Sequence, residues 1–186
     1  MYTESLETDH HELDIIYREA LDALASGDAP AALGRVDLFW ARLAVHIRAE
    51  HLRLFPAVPH TAENDAVVAR LRRDHDEFMT ALANAVKLLR GHATPESVSE
   101  ARRIVLELGD ALAEHNRLEE DTVYCDAGNH LSHAERAELA LSIDAELQNI
   151  PPRFSAHGGL IHGPEEGGGR KGGSETWRSP STRSKR

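Results

Sequence analysis

Apolar residues recur every three or four positions along five stretches of the chain, a periodicity typical of helices that bury one face. The predicted helices cover approximately residues 5–26, 30–55, 62–90, 95–123 and 133–149. The first four are long enough to pack against one another along their length, and the fifth is shorter. The pattern therefore predicts an all-α protein.

Helix breakers and capping residues separate these stretches by short connections. Gly27 and Pro56 end the first two helices, and Gly91 ends the third. Ser132 and Glu135 have the spacing of a capping box at the start of the fifth helix. Because short connections make consecutive long helices antiparallel, we expect an up-down-up-down four-helix bundle with a short extra C-terminal helix.

The chain of 186 residues is long enough for one domain with a buried core. Residues 1–152 carry the periodic pattern and are expected to form that domain. Glycine, serine, proline and arginine dominate residues 153–186, where no periodicity is left. This composition predicts a disordered tail.

Charge divides the chain at the same place. The tail holds seven Lys and Arg against three Glu, whereas the preceding part holds 14 cationic against 28 acidic side chains. The acidic part of the chain before the tail lacks the clustered cations that contacts with phosphate groups need. A nucleic-acid partner is therefore not expected.

The location of the protein is predicted from features that the sequence lacks. The one cysteine, Cys125, cannot form an internal disulfide. Residues 1–5 do not have the basic and then apolar layout of a secretion signal. No run approaches the roughly 20 apolar residues that span a bilayer. We therefore expect a cytoplasmic protein without a membrane partner.

Four histidines fall on four different predicted helices, and two of them precede a glutamate by one helical turn. Residues four apart lie on the same helix face, so each such pair can present an imidazole and a carboxylate to one point. Six ligands are more than one zinc ion takes, but they suit two iron or manganese ions bridged by carboxylates. The six are His10, His46, Glu50, His75, His115 and Glu119.

The depth of these histidines along the bundle tests the metal-site hypothesis. His10 and His46 both lie about 24 Å from the turn that joins their helices. His75 and His115 fit less well, with a mismatch of roughly 7 Å measured from their shared turn. The first pair is therefore predicted to be level, and the second requires some adjustment of the connection.

Other interpretations of these residues stay open. His10 competes with His11, and Glu120 could replace Glu119 if the helix were rotated by about 100°. His75 could be an ordinary core histidine, and each His/Glu pair could be a surface ion pair. The remaining histidines are expected to be exposed: His51, His60, His92, His130, His133, His157 and His162.

Aromatic and thioether side chains occur near the candidate ligands. Tyr17, Phe39, Phe78 and Met79 could line a dry pocket beside the metals, which would favour small neutral ligands over charged metabolites. Tyr17 is also a conceivable proton donor. The helical region has no serine triad, phosphate-binding glycine loop or dinucleotide motif.

The order of these motifs resembles a known family, the hemerythrin-like or HHE cation-binding domain, over residues of about 5–125. Its most specific part is a His-x-x-x-Glu segment followed by Leu-Phe-Pro. The motifs are His10 with Leu13 and Asp14, His46-x-x-x-Glu50-x-x-x-Leu54-Phe55-Pro56, Asp74-His75, and His115-x-x-x-Glu119-Glu120. The resemblance implies a four-helix bundle around a non-haem di-iron centre, with the two glutamates as bridges and the four histidines as terminal ligands.

One departure from the family pattern bears on function. Oxygen-carrying hemerythrins have a further histidine one turn after the position of His75, and here that position is Met79. The resemblance then implies two iron ions, with manganese or zinc as alternatives, in a protein that binds or senses O2, peroxide or NO. Two alternatives stay open: a di-iron redox enzyme acting on peroxide or NO, and an iron-responsive module with an unknown protein partner.

Overall fold

The computed structural model of the protein describes residues 3–155, which are helical throughout apart from turns and short connections. The predictions for the tail beyond residue 155, including those for His157 and His162, lie outside the described residues. The helices are α1 Glu4–Ser26, α2 Ala29–Ala49, α3 Ala62–Leu89, α4 Pro95–Leu118, α5 Tyr124–Asn129, α6 His133–Leu147 and α7 Pro152–Ser155.

Side-chain caps fix where the helices begin. Asp28 accepts a hydrogen bond from the backbone of Ala31 at the start of α2, and Ser132 forms a capping box with Glu135 at the start of α6. Gly27, which has a φ of 76°, ends α1 in the left-handed conformation that favours glycine. The predicted boundaries at these connections are confirmed to within one or two residues.

The four long helices pack in chain order, and α4 returns to pack against α1. This closed arrangement confirms the all-α bundle that the hydrophobic pattern predicts. The core is divided into two apolar clusters along the bundle axis. Towards the α1–α2 and α3–α4 turns lies a cluster that includes Leu13, Ala20, Phe39, Leu43, Phe78, Leu82, Val105 and Leu108. Towards the opposite end lies a cluster that includes Leu6, Leu54, Phe55, Leu71, Val123, Tyr124 and Ile143.

Helix α6 closes the second of these ends by packing against α1 and α2. Arg48 donates hydrogen bonds to the carboxylate and the backbone carbonyl of Glu146 in α6, at 3.2 and 2.9 Å. Arg53 donates to the same carboxylate at 2.7 Å. Both arginines lie within three residues of Glu50, so α6 is attached beside a predicted ligand.

The second and fourth helices differ from the prediction at their ends. Each passes into a turn of π-helix, Glu50–Leu54 after α2 and Glu119–Val123 after α4. The prediction that the fourth helix ends near Val123 is wrong, because the chain continues in helical form to Asn129. Single π turns inside longer helices are frequent at functional sites.

The part of the chain that the structure describes contains no helix that is both long enough and apolar enough to cross a membrane. Beyond α6, helix α7 begins at Pro152 and carries a buried Phe154. This phenylalanine lies in a groove with Trp40 and Val45 of α2.

Candidate metal centre

The six predicted ligands converge between the two apolar clusters, where at most 7% of each residue is exposed. They form two groups of four that share both glutamates. Within each group the potential ligand atoms all lie within 4.8 Å of one another. The groups are His10, His46, Glu50 and Glu119, and Glu50, His75, His115 and Glu119. Two ions could therefore be held side by side and bridged by carboxylates.

The first group is built by α1, α2 and the two π turns. The Nε2 atoms of His10 and His46 are 3.0 Å apart. The Nε2 atom of His46 lies 3.1 Å from Oε1 of Glu50, and that of His10 lies 3.7 Å from Oε2 of Glu119. Adjacent ligands on one ion with bonds of about 2.1 Å are separated by about 3 Å, so these atoms fit one metal.

The second group repeats this geometry with α3 and α4. The Nε2 atoms of His75 and His115 are 2.8 Å apart. His75 faces Oε2 of Glu50 at 3.3 Å, and His115 faces Oε1 of Glu119 at 3.3 Å. Each glutamate therefore turns one oxygen to each group. The depth mismatch expected for His75 and His115 is absorbed, since their Nε2 atoms meet despite it.

Every candidate histidine is held through its Nδ1 atom, which leaves Nε2 directed into the site. In three cases the Nδ1–H group donates to a carboxylate, and in the fourth it donates to an imidazole nitrogen. The contacts are His10 to Glu120 at 3.1 Å, His46 to Asp9 at 2.9 Å, His115 to Asp74 at 3.3 Å and His75 to His51 at 2.9 Å. Such partners orient the ring and make Nε2 a better metal ligand.

Sequence reasoning missed these supporting residues or misplaced them. The prediction that His51 is exposed is wrong, because it is half-buried and contacts the ring of His75. Glu120 points to the outer nitrogen of His10, whereas Glu119 faces the centre. His11 is exposed. One sequence signal was available: an aspartate directly precedes both His10 and His75, and each one contacts the histidine of the next helix.

The carboxylates provide a direct test of whether cations fit this centre. Glu50 and Glu119 are completely buried. Both oxygens of Glu119 and Oε2 of Glu50 have no hydrogen-bond partner. A buried carboxylate without donors is unfavourable unless a positive charge compensates it. The donor set therefore fits metal ions, with Glu50 and Glu119 placed to bridge them.

Burial and crowding of charges shift the pKa values of the centre in opposite directions. Burial and the neighbouring carboxylate of Glu50 raise the pKa of Glu119 well above its usual value. Burial acts in the same direction on Glu50, but the charge and hydrogen bond of His46, together with the other groups around it, outweigh burial and lower the pKa of Glu50. Burial lowers the pKa of His75 to about 3, against the opposing effect of Glu50. Burial opposes a charge on His46 as well, but Glu50 and Asp9 raise the pKa of His46 well above its usual value, so this histidine must lose a proton when a metal ion binds.

The low pKa of His75 gives the metal-free protein a predictable acid sensitivity. The unfolded chain binds a proton at this histidine near pH 6.5, whereas the folded protein resists it down to about pH 3. The metal-free protein therefore keeps its full stability above pH 6.5. Below that pH its free energy of unfolding falls by about 1.4 kcal/mol per pH unit because of this one group. Urea unfolding of chelated protein between pH 7 and pH 4 would measure the slope, which His75→Gln should reduce. An equal slope in the variant would contradict the assignment.

A small cavity of about 50 Å³ lies beside the centre, on the side of the first apolar cluster. Its walls combine the four histidines with mostly apolar side chains. Besides the histidines they include Leu13, Tyr17, Phe39, Leu43, Phe78, Gly109 and Leu112. Three of the four residues predicted to line such a pocket are present. Met79 is not, because it faces a separate groove with Trp40 and Phe154.

Gly109 of α4 makes room for the ring of Tyr17 at this cavity. A Cβ atom at position 109 would overlap the hydroxyl oxygen and Cζ of Tyr17, so Gly109→Ala should displace that ring and destabilise the protein. In a Tyr17→Leu background the same change should instead stabilise it by about 1 kcal/mol, the usual gain of alanine over glycine within a helix. A urea-unfolding double-mutant cycle measures both effects. Equal effects in the two backgrounds would show that the two residues do not interact.

The chain matches the family model described as hemerythrin HHE cation binding domain over residues 1–127. The matched part contains the four bundle helices and both groups of candidate ligands, and it ends before α6. No curated protein and no solved structure matches the chain.

Proposed function

The chain belongs to the hemerythrin HHE cation-binding domain family, and from that premise we propose that it is a non-haem di-iron protein. His10, His46, His75 and His115 act as terminal ligands, and Glu50 and Glu119 bridge the two ions. The protein binds or senses a small ligand such as O2, peroxide or NO. The observation that carries the proposal is the pair of buried four-residue groups joined by two shared carboxylates.

The binding of an external ligand at the centre favours iron over zinc. Each group offers four protein atoms, which would complete the tetrahedral shell that zinc prefers. An ion that prefers six ligands would keep open positions for an external ligand. Imidazole and carboxylate donors suit iron, and bundles with inward-facing glutamates and histidines are a common framework for such centres.

The size and lining of the cavity support a small, uncharged ligand. About 50 Å³ holds a molecule of a few atoms, and the walls away from the histidines are mostly apolar. Besides the histidines, the polar residues of the wall are Asp14 and Tyr17 of α1 and Asn116 of α4. A charged metabolite would lose its hydration against these apolar walls.

Metal analysis and absorption spectroscopy of the full chain test this function. Protein reconstituted with iron(II) without oxygen should hold two irons per chain and change its visible spectrum when O2, peroxide or NO is added. The variant His46→Ala/His115→Ala should hold neither iron. If the visible spectrum stops changing after one equivalent of ligand, the protein is a binder. If the protein continues to consume the ligand, it is the redox enzyme. Only trace iron after reconstitution would refute the proposal.

A further inference from the structure

The centre has approximate two-fold symmetry between its two halves, and this symmetry extends to an aromatic residue. In one half, Phe55 lies five residues after Glu50; in the other, Tyr124 lies five residues after Glu119. The Phe55 ring stacks on His75 with the centroids 6.0 Å apart and the planes 11° apart. The Tyr124 ring stacks on His10 at 6.0 Å and 18°.

The π turns bring these aromatic rings to the centre. In an α-helix, a residue five positions after a glutamate would be rotated from it by about 140°. In the π turns, the backbone N–H of Phe55 donates to the carbonyl of Glu50, and that of Tyr124 donates to the carbonyl of Glu119. This wider turn brings the Phe55 ring onto His75 and the Tyr124 ring onto His10. Helical periodicity alone therefore could not identify Tyr124.

The symmetry is broken at a single oxygen atom. The hydroxyl of Tyr124 lies 3.3 Å from Nε2 of His10 and 3.5 Å from Oε1 of Glu50. Tyr124 is only 3% exposed, so this hydroxyl is held inside the protein. Phe55 has no corresponding oxygen. The half of the centre formed by α1 and α2 thus has one more potential donor than the half formed by α3 and α4.

The distances place this oxygen among the ligand atoms of the first group. Its separations from His10 and Glu50 are similar to the 3.0 to 3.7 Å between the donor atoms of that group. Neighbouring donors on an octahedral ion are about 3 Å apart. Iron accepts tyrosine oxygen as a ligand in proteins.

We propose that the Tyr124 oxygen is a fifth protein ligand of the metal ion held by His10 and His46. The inference rests on the proposed di-iron function. When the oxygen–metal bond forms, the phenolic O–H bond breaks and the proton leaves to solvent, while no electron is transferred. The two ions are then inequivalent, with five protein ligands on the first and four on the second. With six positions on each ion, the first keeps one open position and the second two, so an external ligand binds preferentially at the ion held by His75 and His115.

Visible absorption and resonance Raman spectra of the full chain loaded with two irons and oxidised in air test this ligand. A phenolate bound to iron(III) gives a charge-transfer band whose Raman spectrum contains tyrosine ring modes. We expect both in the wild-type protein, with ring modes that shift when the tyrosines are ring-deuterated. Tyr124→Phe should lose the band and the modes while it retains both irons.

Two further variants test whether the band belongs to the phenol at position 124. Tyr17→Phe changes the tyrosine of the cavity wall and should retain the band. Phe55→Tyr puts a phenol at the equivalent position of the second group and should increase the band. The inference would be overturned if the wild-type protein bound two irons without showing tyrosine ring modes, or if the band persisted in Tyr124→Phe. Neither result would affect the proposed function. Failure of the wild-type chain to bind iron would overturn the proposed function as well. If Tyr124→Phe does not fold, the double variant Tyr2→Phe/Tyr17→Phe leaves Tyr124 as the one tyrosine of the sequence, and ring modes that persist in it assign the ligand.

Discussion

Removing both metal ions with a chelator is expected to lower the melting temperature of the protein by about 20 °C. A site that is saturated at about 1,000 times its dissociation constant stabilises the folded state by about 4 kcal/mol. The two sites together then contribute about 8 kcal/mol. In a protein of this size each kcal/mol corresponds to roughly 2–4 °C.

The physical reason for this large effect lies in the two buried carboxylates. Without cations, Glu119 has no donor for either oxygen and lies beside the ionised Glu50. The metal-free protein must protonate Glu119 or hold two negative charges in an apolar interior, and either state is unfavourable. Metal binding removes this penalty as well as adding bonds.

Thermal unfolding followed by circular dichroism, with and without chelator, measures the effect. Addition of iron to the chelated protein should restore the original melting temperature, which controls for damage by the chelator. The variant His46→Ala/His115→Ala should show no response to either treatment. A melting temperature unchanged by chelation, with metal analysis confirming that the iron has left, would contradict the prediction.

The sequence predicts the bundle and the convergence of its histidines because both depend on helical period. His46 and Glu50 lie on one face of a continuous helix, as do His115 and Glu119, so spacing alone is sufficient to pair them. His10 on α1 is brought to the same depth by the short connection at Gly27. These features follow from local geometry and loop length.

The supporting contacts depend on features that helical period does not contain. The contact of His51 with His75 joins two helices, and its position next to Glu50 gives no hint of that partner. The environment of Tyr124 depends on a π turn, for which no residue type in the segment is diagnostic. The sequence predicts Met79 at the cavity because it lies near the candidate ligands, but the helix turns it towards Trp40. Packing between elements decides each of these cases.

Glu119→Gln is expected to change stability in opposite directions in the metal-free and the metal-bound protein. In the metal-free protein the amide removes one of two crowded carboxylates and can donate a hydrogen bond to Glu50. The pKa of Glu119 is raised in the folded protein. Burial of this carboxyl group therefore lowers the stability of the folded protein increasingly as the pH rises above about 4.5. The variant should therefore be more stable than the wild type by about 2 kcal/mol at pH 8, and by less at pH 5.

With iron present the order should reverse. A neutral amide cannot bridge two cations as a carboxylate does, so Glu119→Gln weakens both sites and loses most of the stabilisation of about 8 kcal/mol. Urea unfolding of both proteins, with chelator and with iron, measures the two signs. Glu138→Gln, on the exposed face of α6, provides a matched control with the same chemical change and should alter neither value. If Glu119→Gln destabilised the metal-free protein at pH 8, the carboxylate would be stabilised by the protein itself, and its role as a bridge between metal ions would lose its physical basis.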